Sequence, residues 1–318
     1  MENFQPVPKV NKLLVRCRIC QKIKEGTKLK SYNLKICYDC FIDFFRKRVE
    51  TTIKKFRMFK KTDNILVAVS GGKDSIALAK VLKDLGYKIT LFHVNCRIAE
   101  NDYSSESQKK VQELAEKETL PVKIYDFQNE LPVDIKLAAK IFNREICATC
   151  GMIKRYILNR ENKEFDVICT GHTLNDEAAN LLSSLIFWDE FLVRQHPVLE
   201  ERGTLKRRVK PLTLVFERET KLFCDILGLP YNPNPCPLVG GPYLVFKKII
   251  SEIEDRFPSA TINFYKGFLK RKKAMGLVPK QEIKLTPCEK CGYLTVAKLC
   301  NFCRLLEKIA EYLKTKAQ

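Results

Sequence analysis

With 318 residues, 45% of them hydrophobic and 30% charged, the chain has the length of about two domains and a composition that excludes wholesale disorder. No apolar run approaches the roughly 18 residues of a membrane span, and the opening MENFQPVPKVNK lacks the charged-then-apolar pattern of a secretory signal, so a cytoplasmic protein with no membrane partner is expected. Lys plus Arg outnumber Asp plus Glu by 57 to 37, and a formal charge of +20 repels itself unless a polyanion is the usual companion, which makes nucleic acid the expected class of partner.

Fourteen cysteines in a chain with no export signal point to metal ligands or catalysts rather than disulfides. The first four, Cys17-x2-Cys20 and Cys37-x2-Cys40, form two knuckles with 16 residues between them. Two thiolates from each knuckle complete a tetrahedral zinc site. Four protein ligands leave no position for substrate, so the ion is structural: a segment this short cannot bury enough core alone. Residues 45–60 then read as a basic connecting helix.

Residues 64–69 (NILVAV) have the β-branched character of a buried parallel strand. They run into Ser70-Gly71-Gly72-Lys73-Asp74-Ser75 and then into a helix over 76–85, closed by Gly86. Strand, glycine turn and helix place backbone N–H groups and a helix N-terminus where an anion can sit. A Walker loop is excluded, because it would need glycine at Val67 and Ser or Thr at Asp74. Strands over 88–94, 121–127 and 165–171, and a helix over 104–117, continue an α/β alternation. Ligands in such sheets lie outside the carboxyl ends of the strands, which predicts one crevice containing residues 70–75, His93, Gly171, His172 and Asp176.

A fifth pair, Cys147-Ala-Thr-Cys150, stands alone before a helix over 152–159, where a helix N-terminus favours thiolate. Cys169 and Cys224 read as buried small hydrophobes, and Cys96 is ambiguous. Cys236 lies in a proline-fixed loop, NPNPCPL, a rigid way to hold a thiol. The basic runs 206–210 (KRRVK) and 270–273 (KRKK) could track an RNA backbone, whereas Phe264, Tyr265 and Phe268, at helical spacing, read as core. Cys288-x2-Cys291 and Cys300-x2-Cys303, eight residues apart, form a second zinc module, and a helix over 304–314 follows.

SGGKDS resembles the PP-loop of the N-type ATP pyrophosphatases. The whole order of double CxxC, SGGKDS, isolated CxxC, TGHxxxDE, lone Cys-Pro and double CxxC resembles the TtuA-type tRNA 2-thiouridine synthetases of the TtcA/TtuA family, relatives of the archaeal and eukaryotic wobble-uridine thiolases. The resemblance implies an α/β fold: a Rossmann-like PP-loop domain with a parallel sheet, flanked by the two zinc modules. The expected division is an N-terminal zinc module over 1–45, a catalytic domain over 46–245, and a basic helical segment with the second zinc module over 246–318. It also implies a [4Fe-4S] cluster on Cys147, Cys150 and Cys236, with catalytic Lys154 and Asp176. ATP with Mg2+ would contact Val67, Ser70, Gly71, Gly72, Lys73, Asp74, Ser75, His93 and Gly171. The family's GHNLDDEA is GHTLNDEA here, so Asn175 replaces an aspartate and receives no assigned role.

The implied reaction adenylates the C2 oxygen of a tRNA uridine, in the T-loop or at the wobble position, and replaces it with sulfur. A ubiquitin-like thiocarboxylate donor and a homodimer are implied partners. A persulfide in place of the cluster fits the same cysteines. Two other classes are weighed against this reading: another PP-loop enzyme, an amidotransferase or lysidine-type ligase, and a non-enzymatic zinc-knuckle RNA-binding protein.

Overall fold

Near-continuous apolar runs must be covered on both faces, and in the computed structural model, which describes residues 13–189, 191–277 and 284–317, they form the centre of one six-stranded sheet. Ahead of it, β1 (Leu13–Arg16), β2 (Ile23–Leu29) and β3 (Leu34–Cys37) make a small antiparallel sheet bearing the first two knuckles. α1 (Tyr38–Lys55) starts directly after Cys37, earlier than its basic half suggests. Its buried Phe41, Phe45, Val49 and Ile53 recur every fourth residue, one stripe of a helix. Phe45 stacks on Phe223 with ring centroids 4.3 Å apart, tying α1 to the main domain.

The main domain alternates as expected: β4 (Ile65–Ala68), α2 (Lys73–Asp84), β5 (Ile89–Asn95), α3 (Tyr103–Glu118), β6 (Val122–Asp126), α4 (Ile135–Phe142), α5 (Ile146–Arg160), β7 (Val167–Thr170) and α6 (Leu174–Phe187). β8 (Val198–Leu199) and β9 (Arg207–Val209) extend the sheet, whose order is β6-β5-β4-β7-β9-β8. All neighbours are parallel except β8, which runs against β9. β4 lies between β5 and β7, so the strand order reverses at its carboxyl end, where such sheets bind ligands. β9 is hidden in the sequence by its charge: it consists of Arg207, Arg208 and Val209, and only Val209, paired with Cys169, is buried core.

Alternating residues of the strands face two cores. Val67, Cys169 and Val209 pack with α1, α2 and α7 (Glu217–Leu227), whereas Leu66, Phe92 and Ile168 pack with α4 and α5. α8 (Pro242–Arg256) and α9 (Ala260–Arg271) cover α6. Tyr265 and Phe268 of α9 are buried, as their spacing predicts, and Phe264 is partly so. β10 (Thr286–Pro287), β11 (Leu294–Thr295) and α10 (Asn301–Ala317) carry the last two knuckles, and α10 packs on α4 and α5. Among the described residues no helix is long and apolar enough to cross a membrane.

Candidate active site

The turn from β4 into α2 is shaped by its glycines. Gly71 has φ +85°, and a Cβ there would stand 2.5 Å from the Ser107 carbonyl oxygen, so only glycine fits. Gly171, at the end of β7, lies so close to α2 that its Cβ would be 3.0 Å from the Ser75 backbone nitrogen. The Ser75 hydroxyl accepts the Ser70 N–H at 3.1 Å and donates to the Gly72 carbonyl at 2.9 Å. No side chain caps α2, leaving its first amides as anion donors. Asn232, the first residue of the proline-fixed loop, holds the turn from outside: its N–H donates to Gly71 O (2.9 Å) and its amide to Ser107 Oγ (3.1 Å). Val67 is wholly buried between Leu91 and Cys169 of the neighbouring strands.

His93 closes the floor. Its Nδ1 lies 2.8 Å from the Val69 carbonyl and so carries the proton. Nε2 is buried without a partner among the described residues. Burial, with the Lys154 charge adding to it, lowers the imidazole pKa to about 4, so the ring is neutral at pH 7.

Beside the loop lies a charge network assembled from four helices. Lys73 pairs with Asp74 (3.2 Å) and with Glu217 of α7. Lys247 of α8 reaches Glu217 (2.8 Å) and Asp176 of α6 (2.9 Å). The Tyr243 hydroxyl donates to the same Asp176 oxygen at 2.5 Å, and the other oxygen accepts the N–H and hydroxyl of Thr173 at 2.8 and 2.9 Å. Burial opposes ionisation of Asp176, but Lys247, His172 and these hydrogen bonds outweigh it and hold the carboxyl well below its ordinary range. Asp74 goes the other way: burial raises it to about 6 against the pull of Lys73, and Glu217 and Asp176 add repulsion. Asn175 accepts the Glu217 N–H at 3.0 Å, fastening the start of α7 where the family pattern has an aspartate. Glu217, Tyr243 and Lys247 carry no local sequence signal. His172 lies at the rim, with Nδ1 2.9 Å from the Thr170 hydroxyl.

α5 begins at Ile146, six residues before the start its apolar pattern predicts, so Cys147 and Cys150 both sit in its first turns. Cys147 is exposed, 3.7 Å from the Leu238 carbonyl. Cys150 lies 3.8 Å from Cys96, which resolves the ambiguity of that residue. The Cys96 hydrogen bond lowers Cys150 to about 6 against burial, with Lys154 helping. Those two thiols in turn raise Lys154 well above the usual lysine range, so it stays cationic. Burial raises Cys236 while Lys154 draws it down and the charges of Cys150 and Cys147 push it up, so three cysteines and one lysine share one neighbourhood.

The knuckles behave differently. The four sulfurs of Cys17, Cys20, Cys37 and Cys40 all lie within 4.8 Å of one another, as do those of Cys288, Cys291, Cys300 and Cys303. Either group could hold a metal ion. Backbone N–H groups point at the sulfurs, Ile19 to Cys17 at 3.4 Å and Cys300 to Cys288 at 3.3 Å, which favours thiolate. The second group packs on α5: Tyr156 stacks on Phe302 with centroids 4.0 Å apart. Among the described residues Cys147, Cys150 and Cys236 do not converge in this way.

A PP-loop domain family model matches residues 45–188. The chain is 39% identical over 302 residues to the tRNA-5-methyluridine(54) 2-sulfurtransferase of Thermotoga maritima, covering 93% of this chain and 97% of that protein. The enzyme of the same name from Thermus thermophilus is 36% identical over 297 residues, 92% and 91% of the two chains. The fold is shared with the U34-tRNA thiolase NcsA from Methanococcus maripaludis, solved with its [4Fe-4S] cluster, at a TM-score of 0.76 and 24% identity over 92% of this chain and 95% of that one. A PP-loop sheet flanked by two four-cysteine groups, and identity to those relatives along nearly its whole length, mean that the chain belongs to the TtuA-type family of tRNA 2-sulfurtransferases.

Proposed function

We propose that the protein replaces the C2 oxygen of a tRNA uridine with sulfur at the expense of ATP, and that the uridine is the T-loop 5-methyluridine at position 54. The position rests on the names of the relatives with 39% and 36% identity. The observation that carries the chemistry is Lys154, whose charge is felt both by His93 at the PP-loop and by Cys150 on α5. One cation therefore joins a nucleotide site to a thiol site.

The α2 N-terminus, the loop amides and Lys73 bind the ATP phosphates. His93 offers Nε2 as a bare acceptor to the nucleoside. Mg2+ would accompany the nucleotide, and the Asp74 carboxylate, beside Lys73, would hold it. The uracil C2 oxygen attacks the α-phosphorus and pyrophosphate leaves; sulfur then adds to C2, and AMP departs with the former C2 oxygen. Adenylation is needed because oxide is a poor leaving group and a phosphate ester is a good one. Lys73 and the loop amides stabilise the charge that develops at phosphorus. Asp176 is too acidic to serve as a general base at neutral pH. Its role is to fix Lys247, and through Glu217 also Lys73.

The separated thiols suit a [4Fe-4S] cluster better than a single ion, because each thiolate binds a different iron; Cys147, Cys150 and Cys236 would hold it. Held by these three cysteines, such a cluster would supply an iron site for exogenous sulfide. Lys154 balances the negative charge of these thiolates, and the buried Cys96 lies 3.8 Å from Cys150. Zn2+ in each four-cysteine group would be structural. A cytoplasmic location, a ubiquitin-like thiocarboxylate donor and a homodimer complete the reading. The dimer is supported by exposed Val245, Ile249 and Ile253 on α8 and Phe187 and Trp188 at the end of α6.

The test uses anaerobically purified, cluster-reconstituted protein with tRNA, ATP, Mg2+ and sulfide, followed by nucleoside mass spectrometry. The reading requires 2-thio-5-methyluridine at position 54, and its loss in Cys147→Ala, Cys150→Ala and Cys236→Ala while ATP still binds. Pyrophosphate release without a thionucleoside would favour another PP-loop chemistry.

A further inference from the structure

The basic run 206–210 is not uniform. Lys206 pairs with Glu201 (3.6 Å), Arg207 with Glu200 (3.0 Å) and Lys210 with the buried Glu177 (2.8 Å). Arg208 alone has no carboxylate among the described residues, and its Nε is buried without a hydrogen bond. It sits opposite Ile168 in the register of β7 and β9, on the sheet face that α5 covers.

A second guanidinium without a carboxylate among the described residues lies on that covering helix. Arg155 of α5 folds back along its helix: a Cβ on Gly151, the residue after Cys150, would stand 3.1 Å from Arg155 Nη1. Burial lowers the pKa of Arg155, and the charges of Arg208 and then Arg144 lower it further. The Tyr293 hydroxyl opposes this shift in both arginines, and the Cys150 thiol opposes it in Arg155. Arg208 also depresses His172, at the end of β7. Arg208 therefore lies on the sheet face beneath α5, and Arg155 lies on α5 beside the Cys147–Cys150 turn, with Tyr293 of the last zinc module acting on both.

Partly desolvated arginines that repel one another and have no acid are costly to keep unless an anion joins them. Two planar guanidinium forks suit the paired oxygens of a phosphate. The nucleotide phosphates have their own donors in the loop and Lys73, on a different strand and helix. We propose that Arg155 and Arg208, with Arg144 at their margin, bind a backbone phosphodiester of the RNA next to the nucleotide being thiolated. This rests on the reading above that tRNA is the substrate. The pair would position the strand, so that the target base is delivered beside Lys154 rather than elsewhere in the crevice.

The experiment measures binding of unmodified tRNA to the full-length, metal-loaded wild type, Arg155→Gln and Arg208→Gln across a salt series. ATP affinity and RNA-free thermal melting are measured in parallel. Each variant is expected to bind tRNA about tenfold more weakly, with the salt slope reduced by about one phosphate contact. ATP affinity should be unchanged and the melting temperature equal or higher, because a repulsion has been removed. Arg208→Lys, which keeps the charge without the fork, should fall between wild type and Arg208→Gln. Wild-type affinity and slope in both Gln variants would overturn the phosphate site, as would a parallel loss of ATP binding or a lowered melting temperature. A wild type that binds no tRNA would instead overturn the substrate assignment.

Discussion

The ammonium of Lys247 on α8 lies 2.9 Å from a carboxylate oxygen of Asp176 on α6. Their side chains are 24% and 12% exposed, so the pair is largely screened from water. Lys247→Met should cost about 2 kcal/mol, less than a fully buried pair, as read by denaturant unfolding at pH 7. The pKa of Asp176 is held below its unfolded value of about 3.9. Its stabilisation is therefore present above about pH 4 and lost as pH falls through the folded pKa. The gap between wild type and Lys247→Met should close in strong acid; a gap that stays constant would show that Asp176 is not the partner that matters.

The two glycines of the loop should respond differently to one methyl group. Gly71→Ala puts a Cβ 2.5 Å from Ser107 O at a φ of +85°, and should lower stability by about 2 kcal/mol and abolish ATP binding. Gly72 has φ −81°, and its added Cβ would find only Ser70 Oγ at 3.6 Å, so Gly72→Ala should melt as wild type does. Thermal melts with and without ATP check both.

Asp74, raised to about 6, gives a pH signature. Because its folded pKa exceeds the unfolded one, the stability it contributes is present below about pH 4 and lost as pH rises through about 6. In nucleotide-free protein Asp74→Asn should therefore be more stabilising at pH 8 than at pH 5. The ionised carboxylate is the metal-binding form, so Mg-ATP affinity of the wild type should rise across pH 6 more steeply than that of Asp74→Asn. Isothermal titration at pH 5, 6 and 7 distinguishes the two slopes.

The two cysteine modules should fail differently. Cys17→Ser and Cys288→Ser are each expected to halve zinc content by elemental analysis. Cys288, Cys300 and Cys303 share a core with Ile153, Tyr156 and Ile157 of α5, whereas Cys17 and Cys37 pack with Phe41 of α1. Loss of the second ion should thus disturb the turn that carries Cys147 and Cys150. Thiolation per folded molecule should drop about tenfold or more in Cys288→Ser, a 1 Å scale misplacement, and much less in Cys17→Ser. Phe302→Ala, which removes the stack on Tyr156 and leaves a cavity against α5, should resemble Cys288→Ser in activity while keeping its zinc.

The PP-loop, the four knuckles and the α/β alternation were legible in the sequence because each is local: the residues that make a glycine turn or a CxxC chelate are neighbours in the chain and impose their own geometry. The same holds for Tyr265 and Phe268, whose helical spacing marked them as core before any partner was known. The α5 start was misplaced because no side chain caps it and its opening turns, ICATCG, hold one large apolar residue, Ile146, and a glycine, so the apolar stripe becomes legible only from Met152. Tertiary structure alone decided which charges find partners. Lys247, Glu217 and Tyr243 reach Asp176 and Lys73 only because α7 and α8 pack beside α6. Within one basic run it paired three cations with acids and left Arg208 without one among the described residues. Ion pairing depends on the three-dimensional approach of side chains far apart in sequence, so composition could point to a polyanionic partner, but not to which cations of a basic run find an acid and which do not.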